Sequence, residues 1–374
     1  MRPVPKSVRF GAAALLALAA LAPAAAVTAH SPASGEHAAV KRIFVIMLEN
    51  HSQSTVIGDP NAPYLTALAA ANGQATNYYG VTHPSQPNYV AAITGQLDIN
   101  QMNDNAANHF SWPSLVDQLE ANGMSWGAYM EAMPSAGYLG ATAPGSTALY
   151  TSKHNPFVHM DDIASNPARL ANIKPYTDLA ADLNSPHAPD FVWISPDQCN
   201  DMHGGVYSAI AGHPETPCPY SSAVDDPADA SLKQKADAFV HGAVDTITHS
   251  RAWTGNSVIF VLADEADYDG TASTTDNWAD VSGCCDSPGY GIAPGLPDGY
   301  VLTDNGSHPW SGSFGGGKVP AIVITRNGPG GIVDPTPYNH YSLLRTIEQV
   351  WGLGYLGYAA DSANVQAMTP LLMH

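Results

Sequence analysis

The segment RIFVIMLENHS, residues 42–52, combines a predicted core strand with the polar residues that follow it. After Arg42 it forms a continuous apolar run, a pattern typical of a strand buried on both faces of a sheet. Polar residues begin abruptly at Glu49. In open α/β sheets, ligands bind beyond the carboxyl ends of the strands. This boundary is therefore where we expect functional residues.

The same boundary recurs twice along the chain. The apolar run FVWIS, residues 191–195, is followed by PDQCNDMH, and the run SVIFVL, residues 257–262, is followed by ADEAD. A single cluster of polar residues after an apolar run is typical of solvated carboxylates at a strand end. Three clusters at equivalent positions favour a shared site.

A cation site is predicted from the side chains at these boundaries. Brought together, they supply three carboxylates and one amide, from Glu49, Asn50, Asp264 and Glu265. That much negative charge in one place needs a cation. Oxygen ligands favour a hard divalent ion, whereas added histidines would admit zinc or iron.

The remaining patterns predict an α/β fold with a mainly parallel sheet sandwiched by helices. Helical patterns and further apolar runs alternate along the chain. The predicted helices are 61–72, 88–94, 114–121, 176–183, 232–250 and 341–351, and the further strands are 126–130 and 319–325. No linker is apparent, so residues 30–374 are predicted to be one domain with a long loop insertion at about 270–318.

The composition restricts the class of partner. The 374 residues include 14 Lys and Arg against 33 Asp and Glu, which gives a net charge of −19. A surface that binds polyanions through its charge is excluded, so a nucleic acid partner is not expected.

Residues 1–29 have the pattern of a secretory signal peptide. A basic start is followed by an apolar run and then by the small residues Val27-Thr28-Ala29. The alternative is a membrane anchor, but the run is interrupted by Pro23 and is short of the roughly 20 apolar residues that a span needs. We therefore expect a secreted or envelope-associated protein with no transmembrane segment in its mature chain.

Secretion permits disulfides, and the chain has four cysteines. We expect two bridges, with the adjacent Cys284 and Cys285 reaching separate partners because a bridge between neighbours is strained. The partner of Cys199 is left open. A Cys/His metal site is the alternative, but no CxxC spacing supports it.

The loop THPSQPNY, residues 82–89, could supply a nucleophile. Ser85 precedes a predicted helix, whose free N–H groups and dipole favour an anion. A serine hydroxyl that touches a metal there could ionise and attack phosphorus. The simpler alternative is that Ser85 caps the helix.

Five motifs together resemble the bacterial phosphoesterase family of acid phosphatases and phospholipases C, which belongs to the alkaline-phosphatase-like superfamily. The motifs are IFVIMLENHSQ, THPSQPNYVAAITG, ISPDQCNDMH, VLADEAD and NHYSLLRTIEQVWGL. Within the family, the chain is most similar to compact secreted acid phosphatases of mycobacterial type.

The resemblance implies a role for several residues. Glu49 with Asn50 and Asp264 with Glu265 match the two metal-ligand pairs, and Ser85 matches the nucleophile. Asp201 and Asp267 are further candidate metal ligands, and His83, Asn88 and His203 are further candidate catalytic residues. His340 falls in a family motif with no role assigned. Asn88 would hold phosphate oxygens, and His203 would protonate the leaving oxygen or hold a phosphate oxygen. The segment Lys153-His154-Asn155-Pro156 also resembles a family motif and could face the phosphate.

The function expected from these motifs is hydrolysis of small-molecule or lipid phosphate esters with a divalent metal ion. An acid phosphatase that acts through a phosphoserine is the first expectation. A phospholipase C or other phosphodiesterase is the alternative, since only the leaving-group pocket would differ. A secreted binding module that has lost the chemistry is the second alternative.

Overall fold

The computed structural model describes residues 40–98, 101–145, 148–223, 225–267, 280–286, 301–302 and 312–372. The predicted signal peptide and most of the predicted insertion lie outside the described residues.

Fifteen strands and nine α-helices are described. The strands are β1 Val40–Leu48, β2 Gly73–Ala75, β3 Tyr78–Tyr79, β4 Thr82–His83, β5 Trp126–Met130, β6 Thr142–Ala143, β7 Tyr150–Thr151, β8 Ile173–Pro175, β9 Phe191–Ser195, β10 Asn256–Ala263, β11 Val301–Leu302, β12 Gly312–Phe314, β13 Ala321–Thr325, β14 Ile332–Asp334 and β15 Tyr338–Asn339. The helices are α1 Gln53–Val56, α2 Pro63–Ala71, α3 Ser85–Thr94, α4 Leu115–Ala121, α5 Asp161–Ala164, α6 Pro167–Leu170, α7 Leu179–Leu183, α8 Pro227–Thr248 and α9 His340–Trp351. Short 3₁₀ turns occupy Ser152–His154, Pro156–His159, Tyr176–Asp178, Gly357–Ala360 and Thr369–Leu371.

The central sheet has eight strands in the order β14-β2-β13-β10-β1-β9-β5-β8. Pairings are parallel between β10, β1, β9, β5 and β8, and also between β14 and β2. Within this sheet, only β13 is antiparallel to its neighbours. Leu262 pairs with Ala321, so the chain leaves β10 and enters β13 at the same edge of the sheet. The prediction of a mainly parallel sheet is confirmed.

The three central strands are covered on both faces. Successive side chains of a strand point to opposite faces, and residues 43–48 of β1 are each at most 1% exposed. Every residue of β9 is buried as well. Continuous apolar runs are therefore required here, because an alternating pattern would place polar side chains in the core.

Two helices begin three or more residues earlier than the sequence pattern predicts. Helix α8 begins at Pro227 rather than 232, and the Asp226 side chain accepts a hydrogen bond from the N–H of Ala228 at 2.9 Å. Helix α3 begins at Ser85 rather than 88. It accommodates Pro87 because the first-turn N–H groups have no partner within the helix.

The prediction that Cys284 and Cys285 reach separate partners is wrong. Cys199 pairs with Cys218, and Cys284 pairs with Cys285. The backbone of Cys218 forms a β-bridge with Val206, and this pairing places Cys218 beside Cys199. The Cα atoms of Cys199 and Cys218 are 5.4 Å apart. The chain has four cysteines, so none is left for Cys284 and Cys285 except each other.

Among the described residues, none of the helices combines the length and apolar character needed to cross a membrane.

Candidate active site

The three polar boundaries meet because β10, β1 and β9 are neighbours in the sheet. Leu48 pairs with Ala263, so the residues that follow these two lie side by side. The N–H of Asp264 donates to the carbonyl of Leu48 at 3.0 Å, and the N–H of Glu49 donates to the carbonyl of Asp201 at 2.7 Å. The backbone therefore holds these ends of the strands together.

Three carboxylates form a buried cluster at this edge of the sheet. One oxygen from each of Glu49, Asp264 and Glu265 lies within 4.8 Å of the others. Burial, together with Asp264 and Asp201, raises the pKa of Glu49 well above its usual value. Burial and the adjacent Glu265 do the same to the pKa of Asp264. Such a cluster is stable only with protons or a cation bound.

The Ser85 hydroxyl lies inside this cluster. Its Oγ is 3.0 Å from Glu49 Oε2 and 2.8 Å from Glu265 Oε1. A hydroxyl has one hydrogen to donate, so it cannot satisfy both carboxylates at once. Ser85 is the first residue of α3, and no side chain caps that helix. The structure therefore does not support the alternative that Ser85 is a helix cap.

The cluster has the donor atoms that a hard divalent cation requires. Glu49 Oε1, Asn50 Oδ1 and Asp264 Oδ2 are buried and receive no hydrogen bond from the described residues. Buried polar atoms are rarely left without a partner. Oxygen donors from carboxylates and amides suit such an ion. Glu49, Asn50, Asp264 and Glu265 therefore fit the metal site predicted from the sequence.

His154 is a member of the site that our sequence-based ligand set omitted. Its Nε2 lies 3.1 Å from Glu49 Oε1, and its Nδ1 lies 3.1 Å from Asp201 Oδ2. Its ring stacks on Tyr89, with 5.4 Å between the ring centroids. Burial, Lys153 and His203 lower the pKa of His154 well below its usual value, so the ring is neutral. The only sequence signal for it was the segment 153–156.

His203 and Lys153 form a second polar group next to the carboxylate cluster. The Nδ1 of His203 is 3.0 Å from the carbonyl oxygen of Gly204. Because a carbonyl oxygen can only accept, Nδ1 carries the proton of the ring. The Nε2 of His203 is 2.8 Å from Lys153 Nζ. His203 Nε2 thus accepts from the ammonium group. Burial and Lys153 lower the pKa of His203 to about 3. This arrangement does not favour the predicted role of His203 as a general acid.

Lys153 is the cation of the site. Its Nζ donates to Asp104 Oδ2 at 2.8 Å. Burial lowers the pKa of Lys153, but Asp104 and Glu49 more than offset this, and the pKa lies above its usual value. Lys153 therefore stays charged beside the carboxylates.

His83 and Asn88 fix the loop that carries Ser85. His83 Nδ1 contacts Glu265 Oε2, and its Nε2 donates to the carbonyl of Asp280 at 2.7 Å. Asn88 Oδ1 accepts the N–H groups of Val81 and Thr82 at 2.9 and 3.1 Å, while its Nδ2 donates within the same loop. These bonds favour a positioning role for Asn88 over contact with phosphate.

The further candidate metal ligands Asp201 and Asp267 lie beside the carboxylate cluster, as does His340. Asp201 Oδ1 accepts the N–H of His203 at 2.7 Å. Asp267 Oδ1 accepts the N–H of Ser52 at 2.9 Å and so holds the turn after β1. The Nε2 of His340 donates to the carbonyl of Asp264 at 2.6 Å. Asp267 and His340 contact backbone beside the cluster rather than its carboxylates.

Comparison with known proteins identifies relatives along most of the chain. A model of the phosphoesterase family matches residues 59–215 and 222–354. A probable acid phosphatase of Kluyveromyces lactis is 37% identical over 175 residues, which are 45% of this chain and 40% of that protein. A phosphate-repressible acid phosphatase of Penicillium chrysogenum is 33% identical over 347 residues, 91% of this chain and 66% of that protein.

A phosphatidylinositol-3-phosphatase of Mycobacterium tuberculosis is 24% identical over 327 residues, 86% of this chain and 81% of that protein. The match spans only 40% of the length of two of the acid phosphatases, from Kluyveromyces lactis and Aspergillus fumigatus.

Murine ectonucleotide pyrophosphatase/phosphodiesterase 5 superposes with a TM-score of 0.53 at 12% identity, covering 87% of this chain and 99% of that one. This likeness shows a shared fold.

Proposed function

We propose that this chain, which belongs to the phosphoesterase family, is a metal-dependent acid phosphatase that hydrolyses phosphate monoesters through a phosphoserine at Ser85. One observation carries the proposal. The Ser85 hydroxyl lies 3.0 and 2.8 Å from two buried carboxylates at the beginning of α3. The acid phosphatase relatives support the reaction class.

The side chains of this site divide the work of the reaction. Ser85 Oγ forms a bond to phosphorus as the bond from phosphorus to the leaving oxygen breaks. Its proton moves to a neighbouring carboxylate, of which Glu265 is the nearer at 2.8 Å. Lys153 offers positive charge to the phosphoryl oxygens. The leaving oxygen takes a proton from solvent. Water then attacks phosphorus, the bond from phosphorus to Ser85 Oγ breaks, and Glu265 returns the proton to the serine as phosphate leaves.

A divalent cation would be held by Glu49, Asn50, Asp264 and Glu265 beside Ser85. When bound, it supplies Lewis-acid stabilisation of negative charge and favours the ionised serine. Neutral His154 lies beside this ligand set, with its Nε2 3.1 Å from Glu49 Oε1.

The test measures release of phosphate by the purified protein from an aryl phosphate monoester and from a phosphoinositide monophosphate, and release of the phenol from an aryl phosphodiester. Each assay is run before and after chelation, and again after Mg²⁺, Ca²⁺, Mn²⁺ or Zn²⁺ is added back. We expect hydrolysis of monoesters that falls with the chelator and returns with one of these ions.

Three results would contradict the proposal in whole or in part. Turnover of the diester alone would replace the monoesterase with a phosphodiesterase. No turnover of any of the three esters with any ion would leave a binding protein. Hydrolysis that persists after complete chelation would remove the metal from the proposal and leave the serine.

We also infer that the protein is exported before it acts. The pattern of residues 1–29 and the bridge between Cys199 and Cys218 both support an oxidising compartment. Mass spectrometry of protein recovered from the culture medium should give a chain that begins at His30. A chain in the cytosol that retains residues 1–29 would contradict this inference.

A further inference from the structure

Asp104 contacts both the helix that carries Ser85 and the ammonium group of Lys153. Its Oδ1 accepts the N–H of Gln86, the residue after Ser85, at 2.9 Å, and its Oδ2 accepts from Lys153 Nζ at 2.8 Å. Burial raises the pKa of Asp104, but Lys153 and the N–H of Gln86 more than offset this, and the pKa lies below its usual value. One ionised carboxylate therefore connects two groups of the proposed reaction.

The loop that carries Asp104 is held against the same helix. The buried side chain of Gln86 donates from its Nε2 to the carbonyl of Asn105 at 3.1 Å. Its Oε1 accepts from Asn108 Nδ2 at 2.6 Å. The Asp104 side chain is 28% exposed, so it is partly covered as well as tied at both oxygens. These bonds fix the position of the carboxylate, unlike that of a solvated ion pair on the surface.

The ammonium group of Lys153 has two acceptors among the described residues. A lysine ammonium has three hydrogens to donate. One is directed to Asp104 and a second to His203 Nε2, each at 2.8 Å. Because the hydrogens of an ammonium group are arranged tetrahedrally, two fixed acceptors determine the direction of the third hydrogen. That hydrogen remains for a ligand.

The carboxylate cluster around Ser85 lies close to this ammonium group. Burial lowers the pKa of Lys153, and Asp104 is the strongest of the charges that raise it. Glu49 and Glu265 also raise it, and both of these carboxylates contact the Ser85 hydroxyl. A phosphoryl group bonded to Ser85 would therefore lie near the ammonium group.

His203 has the tautomer of an acceptor toward Lys153. Its Nδ1 donates the ring proton to the carbonyl of Gly204 at 3.0 Å, so its Nε2 carries only a lone pair. The ammonium group of Lys153 donates to that lone pair. The nitrogen that faces the site thus has no proton to give to a leaving oxygen, and its contact is with the lysine.

We propose that Asp104 and His203 are positioning residues, which hold the Lys153 ammonium so that its third hydrogen meets an oxygen of the phosphoryl group on Ser85. These roles rest on the proposed phosphatase function and deepen it, because they identify what directs the positive charge toward the substrate. The alternatives are that Asp104 only stabilises the beginning of α3, and that His203 is a general acid.

The first test is a double-mutant cycle between Asp104 and Lys153. Asp104→Asn should lower kcat/KM for an aryl phosphate by about 10²-fold, since misplacing a group by about 1 Å can cost that much. In the Lys153→Met background the same change should cost at most about twofold, because no ammonium group is left to position. Asp245→Asn, which changes an exposed carboxylate on α8, is the matched control and should leave kcat/KM unchanged in both backgrounds. An equal loss from Asp104→Asn in both backgrounds would overturn the role of Asp104.

The second test is a pair of substitutions at His203. His203→Gln keeps an oxygen that can accept from the ammonium group, whereas His203→Leu removes the acceptor. We expect His203→Leu to lower kcat/KM by about 10²-fold and His203→Gln to recover at least about tenfold of that loss. The loss should be the same for p-nitrophenyl phosphate and phenyl phosphate, whose leaving groups differ in basicity. A greater loss with phenyl phosphate would make His203 a general acid. That result, or no recovery in His203→Gln, would overturn its positioning role.

The third test does not require turnover. Calorimetric titration with inorganic phosphate, in the presence of each divalent ion used above, should show binding to Asp104→Asn that is about tenfold weaker than binding to the wild type. Equal or tighter binding would mean that Asp104 does not direct Lys153 toward phosphate, or competes with phosphate for it. Either result, or no binding of phosphate by the wild type, would overturn the proposal.

The melting temperature of each variant is measured so that loss of positioning is not confused with loss of folding. If Asp104→Asn does not fold, the two His203 variants decide the outcome. Hydrolysis of monoesters by the wild type is assayed on the same preparations. Failure of this proposal is therefore distinguishable from failure of the proposed function.

Discussion

At the scale of single residues, Ser85 is the position on which the proposed chemistry depends. Ser85→Ala removes the oxygen that would bond to phosphorus and leaves the carboxylates in place. We expect turnover to fall by about 10³-fold or more, measured as phosphate release under the best metal condition. Ser111→Ala, which removes an exposed hydroxyl, is the matched control and should keep the wild-type turnover. Activity near that of the wild type in Ser85→Ala would remove the serine from the mechanism.

Lys153 should matter for catalysis because it is the charged group beside the cluster. Lys153→Met keeps the length of the side chain and removes its charge, so phosphoryl oxygens lose electrostatic stabilisation. We expect kcat/KM to fall by about 10² to 10³-fold. Lys235→Met, on the α8 helix, is the control and should leave kcat/KM unchanged. Unchanged kcat/KM in Lys153→Met would contradict the role given to Lys153.

The sequence predicted those residues of the site that directly follow a buried strand. Glu49 and Asp264 appear directly where apolar runs stop, so the sheet itself indicates that they meet. His154 lies in a 3₁₀ turn directly after β7, a strand of two residues that is too short to show as an apolar run, so only its family motif pointed to it. The proton arrangement of His203 depends on Lys153, which lies 50 positions away and reaches it only in the folded chain.

At the scale of elements, helix α9 carries a carboxyl group that should make stability depend on pH. Glu348 is buried, and its Oε2 receives no hydrogen bond from the described residues. Burial raises the pKa of Glu348 from 4.5 to about 8. Between these pH values the folded chain holds a proton that the unfolded chain has released.

As pH rises from 4.5 to 8, Glu348 should therefore lower the free energy of unfolding of the wild type. Glu348→Gln cannot ionise and lacks this decrease. Urea unfolding at pH 5 and pH 8 measures the free energy of unfolding of both proteins. Relative to the wild type, the variant should be more stable at pH 8 than it is at pH 5. The same difference at both pH values would contradict the raised pKa.

The apolar runs predicted the central strands with little error, because a strand buried on both faces permits few polar residues. Strand β5 has the predicted bounds of Trp126–Met130, and β9 has the predicted bounds of Phe191–Ser195. The reversal of β13 could not be predicted, since direction depends on how the chain from β10 returns. Helix starts were less accurate where proline occupied the first turn, as in α3 and α8.

At the scale of the whole molecule, the acidic cluster should connect cation binding to stability. A cation that binds only the folded chain raises the free energy of unfolding by about 2.7 kcal/mol at 100 times its Kd. We expect the melting temperature to rise with the ion that restores activity. Asp264→Asn should lose most of this rise, whereas Asp245→Asn should keep it. A melting temperature that does not respond to any divalent ion would contradict a cation site in the cluster.

The distance along the chain between β1 and β10 has a consequence for how the protein matures. Asn50 and Asp264 contact each other across 214 positions, and Ser85 reaches Glu265 across 180. Closing such long loops is slow and comes late in folding. A nascent chain that has completed β1 and α3 still lacks Asp264 and Glu265. Hydrolytic competence should therefore emerge only when folding is nearly finished, so that catalysis itself reports completed assembly of the sheet.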